Sequence, residues 1–449
     1  MENWQLAVLL TGALGPIALY LLLKKPKVSL YLLVGTFPIF TVGRMEMAGG
    51  MLFLSMQKAV GLLAFILMIY EYLYSSRKLR LFTPQMLFAF IVLFLMFVSF
   101  FMNEGESLSW LQRYFSNIFF IFIMMNWVDS HEELQNISFL YFSILAVTTL
   151  YHLSTGAELY TLTGQDAQIG ESRMEGIMLD ANRAAQAYLL GIGAAGSWLL
   201  NTNRKRPAQI AVGVLIVIFS LSLFLTASRS GFIAFVVVAG LSVPVMLSNR
   251  KSRPFSIAII VVTILVALFP PKILEKRIKR IPYITKEARQ TQEEHAGSRM
   301  IQYEFALDLL TESPFTGVGP NEFNRAYSKR SPEAINRALH SWYLKVATDG
   351  GWLSLGAYLL MLLFSLLTFV VVGIRGPPQY RYSYFFLAIT LFATMIMGLV
   401  SSLPYSKLLY FLVAYSAATW AVGIKPKQEA EKEDEISSSS DTVVIVRKD

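Results

Sequence analysis

The sequence predicts an all-α polytopic membrane protein, and three observations carry that prediction. The 449-residue chain is 55% hydrophobic and 15% charged, where soluble domains carry about 25% charged residues. Its mean hydropathy is +0.50. Apolar runs long enough for a spanning helix recur from end to end, instead of the short alternating segments of a β-barrel.

Taken in order, the apolar runs fall at roughly 5–23, 28–42, 51–72, 84–102, 113–128, 134–151, 181–200, 208–226, 230–249, 255–270, 346–374, 384–402 and 407–424. The first, "LAVLLTGALGPIALYLLL", has the look of a signal peptide. The chain re-enters an apolar run directly after "KKPK", so it reads as a retained helix. The second and fifth runs are short, so the expected count is about 11 to 13 spans.

Basic clusters occupy alternate short connections: "KKPK" at 24, "SSRKLR" at 75, "NRKR" at 203, "NRKSR" at 249, "RGPPQYR" at 375 and "KPK" at 425. Excess Lys and Arg marks cytoplasmic loops. The C-terminus is therefore expected inside and, with an odd count, the N-terminus outside. The stretches left for the outer face are 152–180, "TASRSG" at 226–231, the long loop 271–345 and "SSLPYSK" at 401–407. Four blocks result: spans within 1–270, with 152–180 external; a large extracytoplasmic loop at 271–345; spans within 346–424; and a disordered cytoplasmic tail at 425–449.

The loop 271–345 holds 13 Lys/Arg and 9 Asp/Glu. Its opening, "PPKILEKRIKRIPYITK", suits contact with anionic headgroups or phosphates, and equally a solvated charged loop. Further on, Gly297 and Ser298 open a short amphipathic helix with an apolar stripe at 301, 305 and 309. Pro314 stops it, and "GVGP" at 317–320 makes a tight turn. As a phosphate loop "GVGP" lacks the Walker lysine and the Ser/Thr that follows it.

Composition also excludes chemistry. The chain has no cysteine, hence no disulfide, thiolate metal site or cysteine nucleophile. Its four histidines are too scattered for a His-rich metal site, and no paired carboxylates stand in a glycosidase pattern. The net charge of +9 reports membrane orientation, not nucleic-acid binding.

What remains is a set of isolated cations at the expected outer face. Arg229 sits between two apolar runs, beside Ala227, Ser228, Ser230 and Gly231. An Arg so close to hydrocarbon is costly unless it is paired, faces a wet cavity or snorkels to headgroups. Its position opens a helix, whose N-terminal amides favour an anion. Arg299 lies in the first turn of the loop helix. Arg173 has only Glu171 and Glu175 close by, while Arg183 has Asp180, a candidate N-cap, at i−3. His340 lies at the outer interface beside Trp342 and Tyr343, which read as an interfacial aromatic belt. Histidine exchanges a proton near neutral pH, and planar arginines suit a pyrophosphate. Arg229, Arg299, Arg173 and His340 therefore point to moving a group off a diphosphate.

The segments "RMEGIMLDANRAAQAYL", "SRSGFIAF", "GSRMIQYEFALDLLTESPFTGVGPNEF" and "LHSWYLKVATDGGWLSLGAYL" resemble, in that order, the O-antigen ligase / O-antigen polymerase superfamily over roughly residues 170–370. One departure is visible: that family commonly has His-Asn where this chain has His340-Ser341. The resemblance implies a GT-C-like, metal-independent glycosyltransferase without a cofactor. Its donor would be a glycan on undecaprenyl pyrophosphate, at the outer face of the bacterial inner membrane, and its acceptor a hydroxyl. Carried over by motif, Arg229 and Arg299 hold the pyrophosphate, with Arg173 as a further contact. His340 positions or deprotonates the acceptor, and Ser341 supplies a hydroxyl beside it. Polysaccharide export or chain-length proteins are expected partners, besides membrane lipids. A transporter or flippase of lipid-linked saccharides is the alternative, but the singular charges sit at one face and no duplicated half is seen.

Overall fold

The computed structural model describes residues 22–39, 44–46, 53–75, 79–103, 109–155, 181–201, 204–226, 228–248, 297–330, 339–401 and 404–423, with some gaps in side-chain detail and a few single residues besides. Arg173, Asp180, most of the first and tenth expected spans, and the C-terminal tail lie outside these residues.

The described chain is helical apart from one two-stranded antiparallel hairpin. The elements are α1 (Val28–Gly35), β1 (Arg44–Glu46), β2 (Phe53–Ser55), α2 (Met56–Tyr74), α3 (Pro84–Met102), α4 (Ser109–Trp127), α5 (His131–Thr155), α6 (Ala181–Leu199), α7 (Arg206–Leu225), α8 (Arg229–Ser248), α9 (Gly297–Glu312), α10 (Phe323–Arg330), α11 (Trp342–Arg375), α12 (Arg381–Gly398) and α13 (Lys407–Gly423). Among the described residues, six stretches are long and apolar enough to cross a membrane: those of α3, α5, α7, α8, α11 and α12. The chain is a multi-pass membrane protein of the all-α class.

Two helices form the centre. α6 is buried on nearly every face, and α13 is buried without a break from Leu408 to Thr419. Small residues make the close approach possible. A Cβ added at Gly193 would stand 2.4 Å from Thr390 Cγ2, and one at Gly196 would stand 2.3 Å from Phe386 Cε1. In lipid, where apolar side chains gain little by leaving the solvent, such backbone proximity supplies much of the association energy. The pairing of 193 with 390 and 196 with 386 also sets α6 antiparallel to α12. Around this centre α11 packs on α3, α12 and α13; α4 packs on α13, and α8 on α12.

One end of the bundle is tied by charge. Lys27 Nζ lies 2.5 Å from Asp129 Oδ2 and 3.1 Å from Glu133 Oε1. Arg204 reaches Glu132 at 2.8 Å, and Tyr380 donates to the same carboxylate at 3.1 Å. Arg80 donates to the carbonyl of Met125 at 3.1 Å, and Trp127 Nε1 to Glu71 Oε2 at 2.6 Å. These residues end α2, α4 and α6 and begin α1, α3, α5 and α12, so the helix ends are held by side chains where their own ladders stop.

Several sequence expectations shift. The third span begins at Met56, not 51, because residues 53–55 pair with 44–46. The fifth is not short: α4 starts at Ser109 and runs 19 residues. Trp342 does not form an interfacial belt. It is 0% exposed and packs on Gly398, where a Cβ would meet its ring at 2.4 Å. The absence of a side chain at Gly398 leaves the room that the indole fills between α11 and α12. The loop helix α9 starts and stops as expected, but Ile301 is exposed. Its buried stripe is Gln302, Phe305, Ala306 and Leu309, the i, i+3, i+4, i+7 spacing of one helical face.

Candidate active site

The end opposite the Lys27 cluster gathers the first turns of α6, α8, α11 and α13 and the last turn of α12. A chain of polar contacts runs across it.

Arg229 is the first residue of α8, as its position between the apolar runs predicts, and it is exposed. Ser228 caps that helix. Its Oγ accepts from the amide of Gly231 at 3.1 Å and donates to Asn182 Oδ1 on α6 at 2.8 Å. Gly231 sits against Ala185, where a Cβ would be 2.6 Å from that methyl. Arg229 is thus fixed beside the opening of α6 by a capped turn with no bulk to push it away.

One turn further along α6, Gln186 accepts from Ser406 Oγ at 2.7 Å, and its own Nε2 is buried with no acceptor among the described residues. Next to Ser406, Tyr405 donates to Asp349 Oδ2 of α11 at 2.7 Å. Burial, with Asp349 beside it, pushes the Tyr405 phenol well above its usual range, so it stays a donor.

Asp349 is 1% exposed. Besides Tyr405 it takes Lys345 Nζ at 3.4 Å and the backbone N–H of Asn321 at 3.1 Å, while its own carbonyl accepts from Ser99 Oγ at 2.8 Å. A buried carboxylate with a cation and several hydrogen-bond donors is compensated. It fastens α11 to α3, to the turn before α13, and to the loop after α9.

That loop is "SPFTGVGPNEF". Gly317 (φ 64), Gly319 (φ 106) and Asn321 (φ 69) all take left-handed backbone, as a tight turn requires. It is wedged into a break in α11. There Gly351 adopts φ 80 and ψ 177, the amide of Trp352 donates to Pro314 O at 2.9 Å, and that of Val318 donates to Thr348 O at 2.8 Å. The loop from Pro314 to Val318, entering the "GVGP" turn, therefore serves as a wedge that supplies hydrogen bonds the broken helix lacks.

His340 is half-buried and immediately precedes Ser341, which caps α11 by accepting from Leu344 N at 3.4 Å. Ser341 is thus a helix cap. Tyr303 of α9 donates to the His340 carbonyl at 2.7 Å. Arg299 lies one turn before Tyr303 on the same helix, so about 6 Å along its axis. The structure therefore brings His340 and the Arg299 turn together through Tyr303. It also sets Arg229 and His340 at one end of the bundle, at the openings of α8 and α11, which both pack on α12. Arg173 lies outside the described residues. Arg183 is half-buried in the first turn of α6.

Sequence reasoning missed Asp349, Tyr405, Lys345 and Gln186. Asp349 carried a usable signal: a carboxylate inside an apolar run is costly unless paired. Among the described residues no group of three or more His, Cys, Asp or Glu gathers as a metal cage.

Residues 214–359 match the O-antigen ligase family model. The match bears out the resemblance to the O-antigen ligase / O-antigen polymerase superfamily. A search of curated proteins gives no match. The O-antigen ligase stretch begins in α7 and ends in α11 past its break. It takes in Arg229, Arg299, His340, Ser341 and Asp349, and leaves Arg173 outside. This similarity, in a multi-pass membrane protein, supports a membrane role in joining or polymerising glycans during polysaccharide biosynthesis.

Proposed function

We propose that the protein is a glycosyltransferase of the bacterial inner membrane, transferring a glycan from undecaprenyl pyrophosphate to an acceptor hydroxyl in surface-polysaccharide biosynthesis, as polymerase or ligase. The observation that carries this is the O-antigen ligase match across Arg229, Arg299 and His340, together with the joining of His340 to α9 at the Arg229 end of the bundle. The alternation of basic loops supports an extracytoplasmic site and a cytoplasmic C-terminus. On this reading the loop 271–345 covers the site between the spans of 1–270 and 346–424, and residues 425–449 form a cytoplasmic tail.

In the reaction the acceptor oxygen forms a bond to the anomeric carbon as the bond from that carbon to the pyrophosphate oxygen breaks. His340 takes the hydroxyl proton or holds the hydroxyl in line. The electron pair departs with undecaprenyl pyrophosphate, whose growing charge falls to Arg229 and Arg299, with Arg173 as a further contact. Arg229 adds its charge to the amides that open α8. No metal is required in this scheme, because fixed guanidinium groups do the neutralising. Export and chain-length proteins are fitting partners downstream.

Purified protein with lipid-linked repeat units tests the reading. A polymerase lengthens the repeats, whereas a ligase leaves their length and makes a new acceptor adduct. Arg229→Ala and His340→Ala should each lower turnover by about 100-fold or more while the protein still inserts. Full activity in His340→Ala removes the proton-transfer role. A strict metal requirement, read as loss of turnover in EDTA, overturns the metal-free scheme.

A further inference from the structure

The loop after α9 carries an apolar residue that the proposed chemistry does not use. Phe315 is 69% exposed. It stands in "SPFTGVGPN", residues 313–321, a stretch without a charge inside the strongly charged loop 271–345. Two backbone contacts fix how deep this stretch goes. The amide of Val318 donates to Thr348 O, before the break in α11, and the amide of Trp352 donates to Pro314 O, after it. Thr348 and Trp352 are one turn apart, about 6 Å along the axis. The loop therefore runs down alongside α11 and reaches the level of Trp352 at Pro314, next to Phe315. From the other side Asn103, at the end of α3, donates to the Gly317 carbonyl at 3.3 Å. Phe315 thus belongs to a loop held against the ends of two spanning helices.

Both helices present an apolar outward face that continues up to this loop. Leu353, Leu360 and Leu367 on α11, and Leu87, Phe94 and Phe101 on α3, are all exposed. Each set recurs at every seventh position, the spacing of one helical face. Both helices are long and apolar enough to cross a membrane, so these faces meet lipid. Trp352, also exposed, tops the face on α11. An indole at the end of a lipid-facing stripe is typical of the membrane–water boundary. Phe315 therefore extends an apolar surface that lipid already covers.

We propose that Phe315 inserts among the acyl chains of the bilayer leaflet at this end, making the loop between α9 and α10 a membrane-seated anchor. An exposed phenyl ring gains by leaving water for hydrocarbon. The lack of charge from 313 to 321 keeps ionised groups away from that layer. The anchor holds the C-terminal end of α9 at the membrane surface, and with that helix the Tyr303 contact to the His340 carbonyl. It stands on the depth of the loop and does not rest on glycan transfer.

The chain has no cysteine, so one introduced thiol carries one label. The full chain spin-labelled at Phe315→Cys, in phosphatidylcholine nanodiscs free of polyprenyl lipid, tests the anchor. Leu353→Cys marks hydrocarbon, and Glu304→Cys, exposed on α9, marks water. Collisions with oxygen, relative to a water-soluble nickel chelate, should be severalfold more frequent at 315 than at 304 and close to those at 353. The label is itself apolar, so benzoylphenylalanine at position 315 supplies a second measurement that keeps an aromatic ring there. On irradiation it should join to phospholipid acyl chains, and the same group at 304 should not. Water-like accessibility at 315 overturns the anchor, as does the absence of a lipid adduct at 315 where position 353 gives one. An adduct to another segment of this chain or to a second copy also overturns it, since protein then covers Phe315. Both readings are taken without glycan substrate, so their outcome is separate from that of the transferase assay.

Discussion

Asp349 is the residue on which the site end turns. It accepts from Tyr405, Lys345 and the Asn321 amide while almost wholly buried. Asp349→Ala is expected to cost about 3 kcal/mol or more, because it strands a partly buried ammonium and two further donors. Tyr405→Phe, which removes one donor from an otherwise satisfied carboxylate, should cost about 1 kcal/mol. Thermal unfolding in detergent reads both, and equal losses would contradict the network. At the far end, burial lowers the Lys27 ammonium while Asp129 and Glu133 more than reverse this, so its pKa rises above the ordinary lysine value. Its contribution is therefore fully present below a pH of about 10.4 and lost as pH climbs through the higher folded value. Lys27→Met should remove that alkaline step from a melting-temperature profile and leave the profile near neutrality lower and flatter. Arg229 and His340 were legible because each interrupts an apolar context. Asp349 interrupts one too, but its partners Asn321 and Tyr405 lie 28 and 56 residues away, and no local spacing announces them.

Among the elements, α11 and its wedge are the most constrained. Gly351 has backbone that only glycine adopts readily, and a Cβ there would be 2.2 Å from the Phe315 carbonyl oxygen. Gly351→Ala is expected to destabilise by about 3 kcal/mol or more. Gly356→Ala on the exposed face of the same helix, where a Cβ meets nothing within 4 Å, should be neutral or stabilising by up to about 1 kcal/mol. Comparable losses at both positions would remove the wedge as the cause. Helix existence was legible from apolar runs, and α3 matches its expected bounds of 84–102. The break was not. "DGGW" lies inside a run that hydropathy alone reads as continuous, and its distortion is held by the Pro314 carbonyl and the Val318 amide, far upstream in the chain. The start of α2 was misplaced for a related reason: apolar residues 53–55 fit a strand as well as a helix, and hairpin pairing decided.

For the whole molecule, the two ends of the bundle differ in kind. The Lys27 end is closed by ion pairs between oppositely charged neighbours. The Arg229 end carries cations, capped helix openings and buried donors. Composition and loop charge made the membrane class and the alternation readable, because both are summed over many residues. The convergence of α6, α8, α11 and α13 was not readable, since it depends on which small residues face which neighbour. The break in α11 has a consequence for reach. The helix has 34 residues, about 51 Å at 1.5 Å each, far more than a hydrocarbon layer of about 30 Å. Cut at Gly351, the part from 352 to 375 measures about 36 Å and crosses such a layer alone with a modest tilt. The short piece from Trp342 to Gly350 then stands above it, and Gly351 works as a depth mark. His340 directly precedes that piece, so on the proposed reading a lipid-linked substrate meets it outside the hydrocarbon layer with its tail still among the lipids.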